Sequence, residues 1–203
     1  MKVARPSGRL CKATTIAVIK PALLTLPIEI TAFSSSLQSV ESICCSFAPS
    51  CLEEDVEKFF DIRQGKKSPY MLLTQPISDS IKTELTEEEK NYKGIEKLKA
   101  YRSTLPAITH VNYSARIQTV SKKVNERYWN IINEFKKLTD CSVVVNTSFN
   151  IRGEPIVNTP ENAYKCFMFT DLDVLVLENF VLLKEEQKKI EGIEEYQKQF
   201  KLD

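Results

Sequence analysis

The chain has 203 residues, and 42% of them are hydrophobic, which is enough for one packed domain with tails. Its 28 basic and 27 acidic side chains give a net charge of +1, so no global basic field favours nucleic acid as the main partner. The apolar stretch 16–33 is interrupted by Lys20, Pro21, Pro27 and Glu29, whereas a membrane span needs about 20 mostly apolar residues. We therefore expect neither a nucleic-acid nor a membrane partner.

The six cysteines form no C-x-x-C pair, and the single histidine, His110, cannot complete a Cys/His zinc set. The sequence thus predicts no metal site and free thiols in a reducing compartment, which we take to be the cytoplasm. The first 28 residues contain five basic and no acidic side chains. That composition resembles a transit peptide only weakly, since nothing marks a cleavage site.

Regular patterning begins near residue 47. The stretch Leu52–Ile62 carries apolar side chains on one face, which predicts a short amphipathic helix, and Tyr70–Leu73 follows as a predicted strand. Residues 78–104 are polar and charged, which predicts an exposed connection with one helix.

The second half of the chain alternates strand and helix patterns. The predicted elements are the strands Ala107–Val111 and Arg116–Val120, the helix Asn125–Leu138, the strand Ser142–Val145, the helix Pro160–Thr170, the strands Val174–Leu177 and Phe180–Leu183, and a charged helical tail from Lys184. The helix from Asn125 has a stripe of residues at helical spacing that should face the core, namely Tyr128, Ile131, Ile132, Phe135 and Leu138. This alternation predicts an α/β domain with a mixed sheet.

Small polar side chains follow the predicted buried strand directly, in Asn146-Thr147-Ser148-Phe149-Asn150. Ligands of open α/β sheets bind beyond the carboxyl ends of strands. In an extended segment Ser148 and Asn150 would point the same way and could grip one ligand through a hydroxyl and an amide. Gly153 would permit a positive φ or a close backbone approach. The alternative is a turn whose hydrogen bonds only satisfy the turn itself.

A second candidate segment, Thr109–Arg116, holds the only histidine and an arginine between two predicted strands. The guanidinium of Arg116 suits phosphate or carboxylate. A lone histidine such as His110 is more often structural than catalytic, and an arginine that opens a strand is often part of a surface pair. By itself this segment is a weak signal.

Seven segments taken together are more specific than any one of them. They are Phe47-Ala48-Pro49-Ser50, Ser68-Pro69-Tyr70-Met71, Pro106-Ala107-Ile108-Thr109-His110-Val111, Ala115-Arg116-Ile117-Gln118-Thr119-Val120, Asn146-Thr147-Ser148-Phe149-Asn150, Gly153-Glu154-Pro155-Ile156 and 170–177. In this order they resemble the C-terminal domain of the nodulation-type O-carbamoyltransferase family. The resemblance divides the chain into a non-matching segment 1–46, a matching domain 47–184 and a charged tail 185–203.

The resemblance implies a YrdC-like fold, a twisted mixed sheet with flanking helices that is incomplete at the N-terminus of this chain. It implies that the domain forms carbamoyl adenylate from carbamoyl phosphate and ATP, with Mg²⁺ accompanying the nucleotide, and releases pyrophosphate. A separate Kae1-like domain with an iron-type metal would then pass the carbamoyl group to a hydroxyl acceptor. Ser148 and Asn150 match the S-x-N pattern of the nucleotide site, Arg116 matches the family's arginine, and His110 and Arg152 adjoin these as further nucleotide-binding residues.

The chain also departs from the family pattern. The family's basic K-x-R-E-type motif corresponds here to 42–46, and no Lys or Arg lies between Lys20 and Lys58. Asn112-Tyr113-Ser114 replaces an Asp-Gly-Thr-like stretch. These departures favour an alternative, an inactive fragment that retains only nucleotide or partner binding. RNA modification on the same fold is weaker, because the matching motifs are those of O-carbamoyltransferases.

Residues 1–46 are expected to be poorly ordered or misannotated. An out-of-frame or misplaced start is one hypothesis for this stretch, and a newly acquired segment is the other. Because the N-terminal strands of the family would be missing, we expect an uncovered sheet edge or core face and a domain less stable than an intact homologue.

Overall fold

The computed structural model describes residues 16–19, 31–32, 48–63, 65–151, 153–188, 192 and 195–196. Its strands in chain order are β1 (Ile16–Ile19), β2 (Thr31–Ala32), β3 (Ala48–Leu52), β4 (Leu73–Pro76), β5 (Ser114–Val120), β6 (Val143–Asn146), β7 (Val174–Leu177) and β8 (Phe180–Leu183). The α-helices are α1 (Val56–Phe59), α2 (Glu87–Lys90), α3 (Glu126–Thr139) and α4 (Pro160–Phe169). The chain divides into a central unit, residues 39–146, and a discontinuous unit, residues 1–38 with 147–203.

A mixed sheet forms the centre of the central unit, with β6, β3, β5 and β4 side by side in that order. β3 runs parallel to β5 and antiparallel to β6, and β4 is antiparallel to β5. One face of this sheet contributes Cys51, Ile117 and Val143 to an apolar core that includes Phe60 and Ile77. The sheet and its flanking helices confirm the predicted α/β class.

The helix α3 begins where the sequence predicts, because the side chain of Asn125 accepts a 3.2 Å hydrogen bond from the backbone N–H of Tyr128. Asp140 ends it in the left-handed conformation, with φ of 60°. Tyr128 and Ile132 are buried, which confirms the first half of the core stripe. Leu138 is 57% exposed, so the prediction is wrong there. It lies about 80° around the helix from Tyr128, at the edge of the stripe.

In the discontinuous unit β7 lies between β1, which is parallel to it, and β8, which is antiparallel. The helix α4 starts at Pro160, and the hydroxyl of the preceding Thr159 accepts the N–H of Asn162, so the predicted helix start is confirmed. The core of this unit is formed by Phe149, Val157, Ala163, Cys166, Phe167, Met168 and Leu175. The predicted strands at 174–177 and 180–183 are confirmed in full.

The predicted strand Ala107–Val111 is wrong. A 3-10 turn, Pro106–Ile108, takes its place and leads into a turn that ends at β5. Proline fixes φ near −65°, which suits the first position of a helical turn, and the backbone N–H of Thr109 closes this turn on the carbonyl oxygen of Pro106 at 3.4 Å.

Two further local predictions need correction. The predicted strand Tyr70–Leu73 starts only at Leu73, since Met71 has a φ of 55°. The predicted helix Leu52–Ile62 is limited to a 3-10 turn, Glu53–Asp55, and α1. It is shorter than predicted because β3 ends at Leu52 and because Phe60 is extended and pairs with Ile77. Within 78–104 the expected helix is α2, with a capping box from Thr86 and Glu89, but Arg102 and Ser103 are buried.

Several predictions concern residues that the structure does not describe. They include Arg152, most of 1–46 and most of the charged tail. Where the predicted helical tail begins, residues 184–186 form a 3-10 turn. Among the described cysteines Cys51, Cys141 and Cys166 are free. Within the described ranges, none of the helices combines the length and the apolar character that a membrane crossing needs.

Candidate functional site

A buried polar cluster lies on the sheet face opposite the apolar core of the central unit. The side-chain oxygen of Gln118 accepts hydrogen bonds from Ser50 Oγ at 2.5 Å and from Asn146 Nδ2 at 2.9 Å. The Nε2 of Gln118 donates to the carbonyl oxygen of Pro69 at 3.1 Å. Ser50, Gln118 and Asn146 are each at most 5% exposed. Because buried polar groups cost free energy when unpaired, these bonds fix the orientation of the Gln118 amide.

The segment that holds Ser68 is tied to the same strand. Ser68 Oγ donates to the carbonyl oxygen of Ile117 at 2.8 Å, and its backbone N–H donates to Thr119 Oγ1 at 2.9 Å. Four of the seven segments that carry the family resemblance thereby meet around Gln118. These segments are identified from the sequence, but Gln118 is not among the predicted site residues. The sequence shows only a glutamine inside the predicted strand Arg116–Val120, which does not reveal the partners of that side chain.

Arg116 lies two residues before Gln118 on β5 and projects from the same face. It is exposed, whereas the other six residues of the strand are buried. Its register partner on β4 is Thr74, which is also exposed. The guanidinium is thus presented to solvent beside a hydrogen-bonded sheet face, and it can bind a phosphate or carboxylate oxygen there.

His110 is engaged in the turn that leads into β5. Its backbone N–H donates to the carbonyl oxygen of Ser114 at 2.8 Å, and its own carbonyl accepts from Tyr113 at 3.0 Å. The ring Nδ1 lies 3.3 Å from Ser114 Oγ, which donates to Asn112 at 2.7 Å. These contacts give His110 a structural role in the turn, and its binding of a ligand stays a prediction.

The segment that follows β6 bends at 149–150 and is not extended. Ser148 is exposed, Phe149 is buried in the core and Asn150 is half-buried. The bend departs from the extended backbone that was assumed for this segment, and the shared direction of Ser148 and Asn150 stays a prediction. The burial of Phe149 anchors the segment and leaves the residue before it at the surface.

Asn150 is held by the next turn of the chain. Its Nδ2 donates to the carbonyl oxygens of Ile151 at 3.1 Å and Glu154 at 2.9 Å. Its Oδ1 is buried and has no hydrogen-bond partner among the residues that the structure describes. Gly153 has a φ of 83°, which confirms the positive φ considered for it. The alternative of a turn whose hydrogen bonds only satisfy the turn itself is thus correct for the amide nitrogen of Asn150. It does not account for the amide oxygen.

The candidate residues fall into two groups. His110 and Arg116 belong to the central unit, and Ser148 and Asn150 belong to the discontinuous unit. Among the residues that the structure describes, no group of three or more His, Cys, Asp or Glu side chains could hold a metal ion.

A family model described as carbamoyltransferase C-terminus matches residues 44–184. The chain belongs to this family. The matched region includes all the site residues named above and the whole Gln118 cluster. It also includes Cys44, Cys45 and Ser46, which precede the resembling segments.

Relatives of this carbamoyltransferase C-terminal domain are much longer proteins. An uncharacterized protein of Synechocystis sp. is 54% identical over 77% of this chain and 25% of its own length. Nodulation protein NolO of Bradyrhizobium diazoefficiens is 40% identical over 68% of this chain and 22% of its own. The 3'-hydroxymethylcephem-O-carbamoyltransferase of Amycolatopsis lactamdurans is 31% identical over 55% of this chain and 17% of its own. The chain therefore spans about a quarter or less of these relatives.

Proposed function

We propose that this chain forms carbamoyl adenylate from carbamoyl phosphate and ATP, as a YrdC-like C-terminal domain of a carbamoyltransferase. The observation that carries the proposal is the exposed Arg116 beside the buried Gln118 cluster, on which four of the family's segments converge. A hydrogen-bonded polar sheet face with an exposed arginine suits two anionic reactants that must be held in contact.

The chemistry needs a good leaving group for the carbamoyl transfer, and AMP supplies one. In a balanced reaction carbamoyl phosphate takes up water and releases inorganic phosphate. An oxygen of the resulting carbamate then attacks the α-phosphorus of ATP, and pyrophosphate leaves. Charge grows on the phosphate oxygens during the attack, and a positioned guanidinium stabilises it. We assign this role to Arg116, with Ser148 and Asn150 as orienting groups and His110 and Arg152 as further nucleotide-binding residues.

The described residues fit a nucleotide in two respects, an exposed guanidinium for phosphate and an unpaired Oδ1 on Asn150. Mg²⁺ would be held mainly by the phosphates of ATP, as is usual for this ion. Transfer of the carbamoyl group to a hydroxyl acceptor would fall to a Kae1-like domain with an iron-type metal. The name of the cephem relative describes such an O-carbamoyl transfer. We place the reaction in the cytoplasm.

An inactive fragment that only binds nucleotide or a partner is the second candidate. It is favoured by one observation, the absence of Lys and Arg between Lys20 and Lys58, where the family's basic motif would meet the triphosphate.

Two measurements distinguish the candidates. The full chain is mixed with carbamoyl phosphate, ATP and Mg²⁺, with and without the separately produced N-terminal portion of a relative, and pyrophosphate release is followed. Release that depends on carbamoyl phosphate is expected. Calorimetry with ATP is the second measurement. Micromolar binding without turnover in either mixture would favour the inactive fragment. Neither binding nor turnover would refute both the proposed reaction and nucleotide binding by an inactive fragment.

A further inference from the structure

The side-chain amide of Asn150 has only one favourable orientation. Two backbone carbonyl oxygens, those of Ile151 and Glu154, lie 3.1 and 2.9 Å from its nitrogen. An amide rotated by half a turn would bring Oδ1 against both oxygens, where there is no hydrogen to share. The nitrogen therefore faces the turn, and Oδ1 faces away from it, buried and without a hydrogen-bond partner in the described part of the chain.

The turn that orients Asn150 is itself fixed by Glu154. The backbone N–H of Glu154 donates to the carbonyl oxygen of Ile151 at 3.0 Å, and its Oε2 accepts the backbone N–H of Ile151 at 2.9 Å. Its Oε1 accepts the hydroxyl of Tyr196, whose ring stacks on Phe169 with centroids 4.6 Å apart. One of the two carbonyls that accept from the Asn150 amide thus belongs to Ile151, whose N–H is hydrogen-bonded to the Glu154 carboxylate. The other carbonyl belongs to Glu154 itself.

We infer that Asn150 meets its substrate with Oδ1, and that the group it recognises is an N–H donor and not an anionic oxygen. A carbonyl oxygen repels phosphate and carboxylate oxygens, and a buried acceptor gains most from a donor that supplies its missing hydrogen bond. Arg116 would serve the anionic oxygens instead. Glu154 is then a positioning residue, which acts through the orientation of Asn150.

This inference rests on the proposed function, whose two substrates each carry an N–H group of this class. One is the amide nitrogen of carbamoyl phosphate, and the other is the exocyclic amine of adenine. Each has an analogue that lacks the group. Acetyl phosphate replaces the amine by a methyl group, and inosine triphosphate replaces the adenine amine by an oxygen.

The test is calorimetric titration of the full chain with these four ligands. The wild type should bind the N–H-bearing member of one pair about tenfold or more tightly than its analogue, and the pair that shows this ratio identifies the source of the N–H. Asn150→Ala should bring that ratio close to one and leave the ratio of the other pair unchanged. Asn150→Ser provides a second variant if the first does not fold, which far-UV circular dichroism checks.

Glu154 is tested with a matched pair of variants. Glu154→Gln keeps a side-chain oxygen for Ile151 and should retain most of the affinity ratio between the N–H-bearing ligand and its analogue. Glu154→Ala should reduce this ratio and leave the affinity ratio of the other ligand pair unchanged. A wild-type ratio near one in both pairs, or a ratio that survives in Asn150→Ala and Asn150→Ser, overturns the inference while the proposed function stands. Failure to bind any of the four ligands overturns the proposed function and the inference with it.

Discussion

Asn146, the last residue of β6, donates its side-chain amide to Gln118 on β5 at 2.9 Å, across the intervening strand β3. Ser50 on β3 donates to the same oxygen. One acceptor on β5 thus joins three strands of the central unit. Asn146 is therefore fixed by its side chain as well as by the backbone pairing of β6 with β3.

Gln118→Ala should lower the free energy of unfolding by about 2–4 kcal/mol, because it removes the acceptor of Ser50 and Asn146 and the donor to Pro69 in a buried place. Denaturant titration measures the change. Ser50→Ala is the matched control. It removes one donor while Gln118 keeps the bond from Asn146, so a loss of about 1 kcal/mol is expected. Equal losses in the two variants would contradict a central role for Gln118.

Local sequence signals were sufficient for part of this fold. The helices α3 and α4 and the strands β7 and β8 were predicted because apolar periodicity, N-caps and β-branched runs agree there. The strand β3 was missed, since its sequence Ala-Pro-Ser-Cys-Leu contains a proline and no β-branched residue. It is a strand because β5 and β6 pair with it on both sides, which no local pattern reveals.

The candidate site divides in the same way. Arg116, Ser148 and Asn150 could be named from residue type and from the resemblance. The Gln118 cluster could not, because its members are 68 and 28 residues from Gln118 in sequence and meet only through the register of the sheet. The free Oδ1 of Asn150 also depends on a turn geometry that spacing alone does not give.

Arg116→Ala should weaken ATP binding at least tenfold, since the exposed guanidinium is the group that we assign to phosphate. Its unfolding free energy should change by less than about 0.5 kcal/mol, because the side chain is at the surface. Arg116→Lys should recover only part of the binding, since an ammonium lacks the planar fork. Thr74→Ala, at the exposed register partner, should bind ATP as the wild type does. Equal binding by all four proteins would exclude Arg116 from the nucleotide site.

Lys184 stabilises the C-terminal end of α4. Its ammonium donates to the carbonyl oxygen of Thr170 at 2.9 Å and to that of Phe167, and it lies 4.5 Å from the centre of the Phe167 ring. The last carbonyls of a helix have no partner within the helix, and a positive charge there is favourable. Lys184→Met should therefore cost about 1–3 kcal/mol of unfolding free energy. Lys165→Met, at an exposed position of the same helix, should cost less than about 0.5 kcal/mol. Similar thermal midpoints for the two variants would argue against this role.

Asp55 makes the stability of the central unit depend on acid pH. Its carboxylate is buried and lies 2.7 Å from the amine of Lys58 and 2.6 Å from that of Lys136 on α3. Burial by itself raises the pKa of Asp55, but hydrogen bonds from Lys136, Lys58 and Ser142 together outweigh it and lower the pKa to about 2. An aspartate in the unfolded chain has a pKa of about 3.9.

The sign of the pH effect follows from this lowered pKa. Between about pH 4 and pH 2 the unfolded chain binds a proton that the folded chain does not, so stability falls as the pH falls through this window. The stabilisation amounts to about 2 kcal/mol and is complete above the unfolded pKa. Asp55→Asn should therefore be less stable than the wild type at neutral pH, and the difference should narrow toward pH 2. Asp79→Asn, at an exposed pair with Lys82, should keep the acid dependence of the wild type almost unchanged. If urea midpoints of Asp55→Asn and wild type decline in parallel across this window, the lowered pKa of Asp55 is not the source of the acid sensitivity.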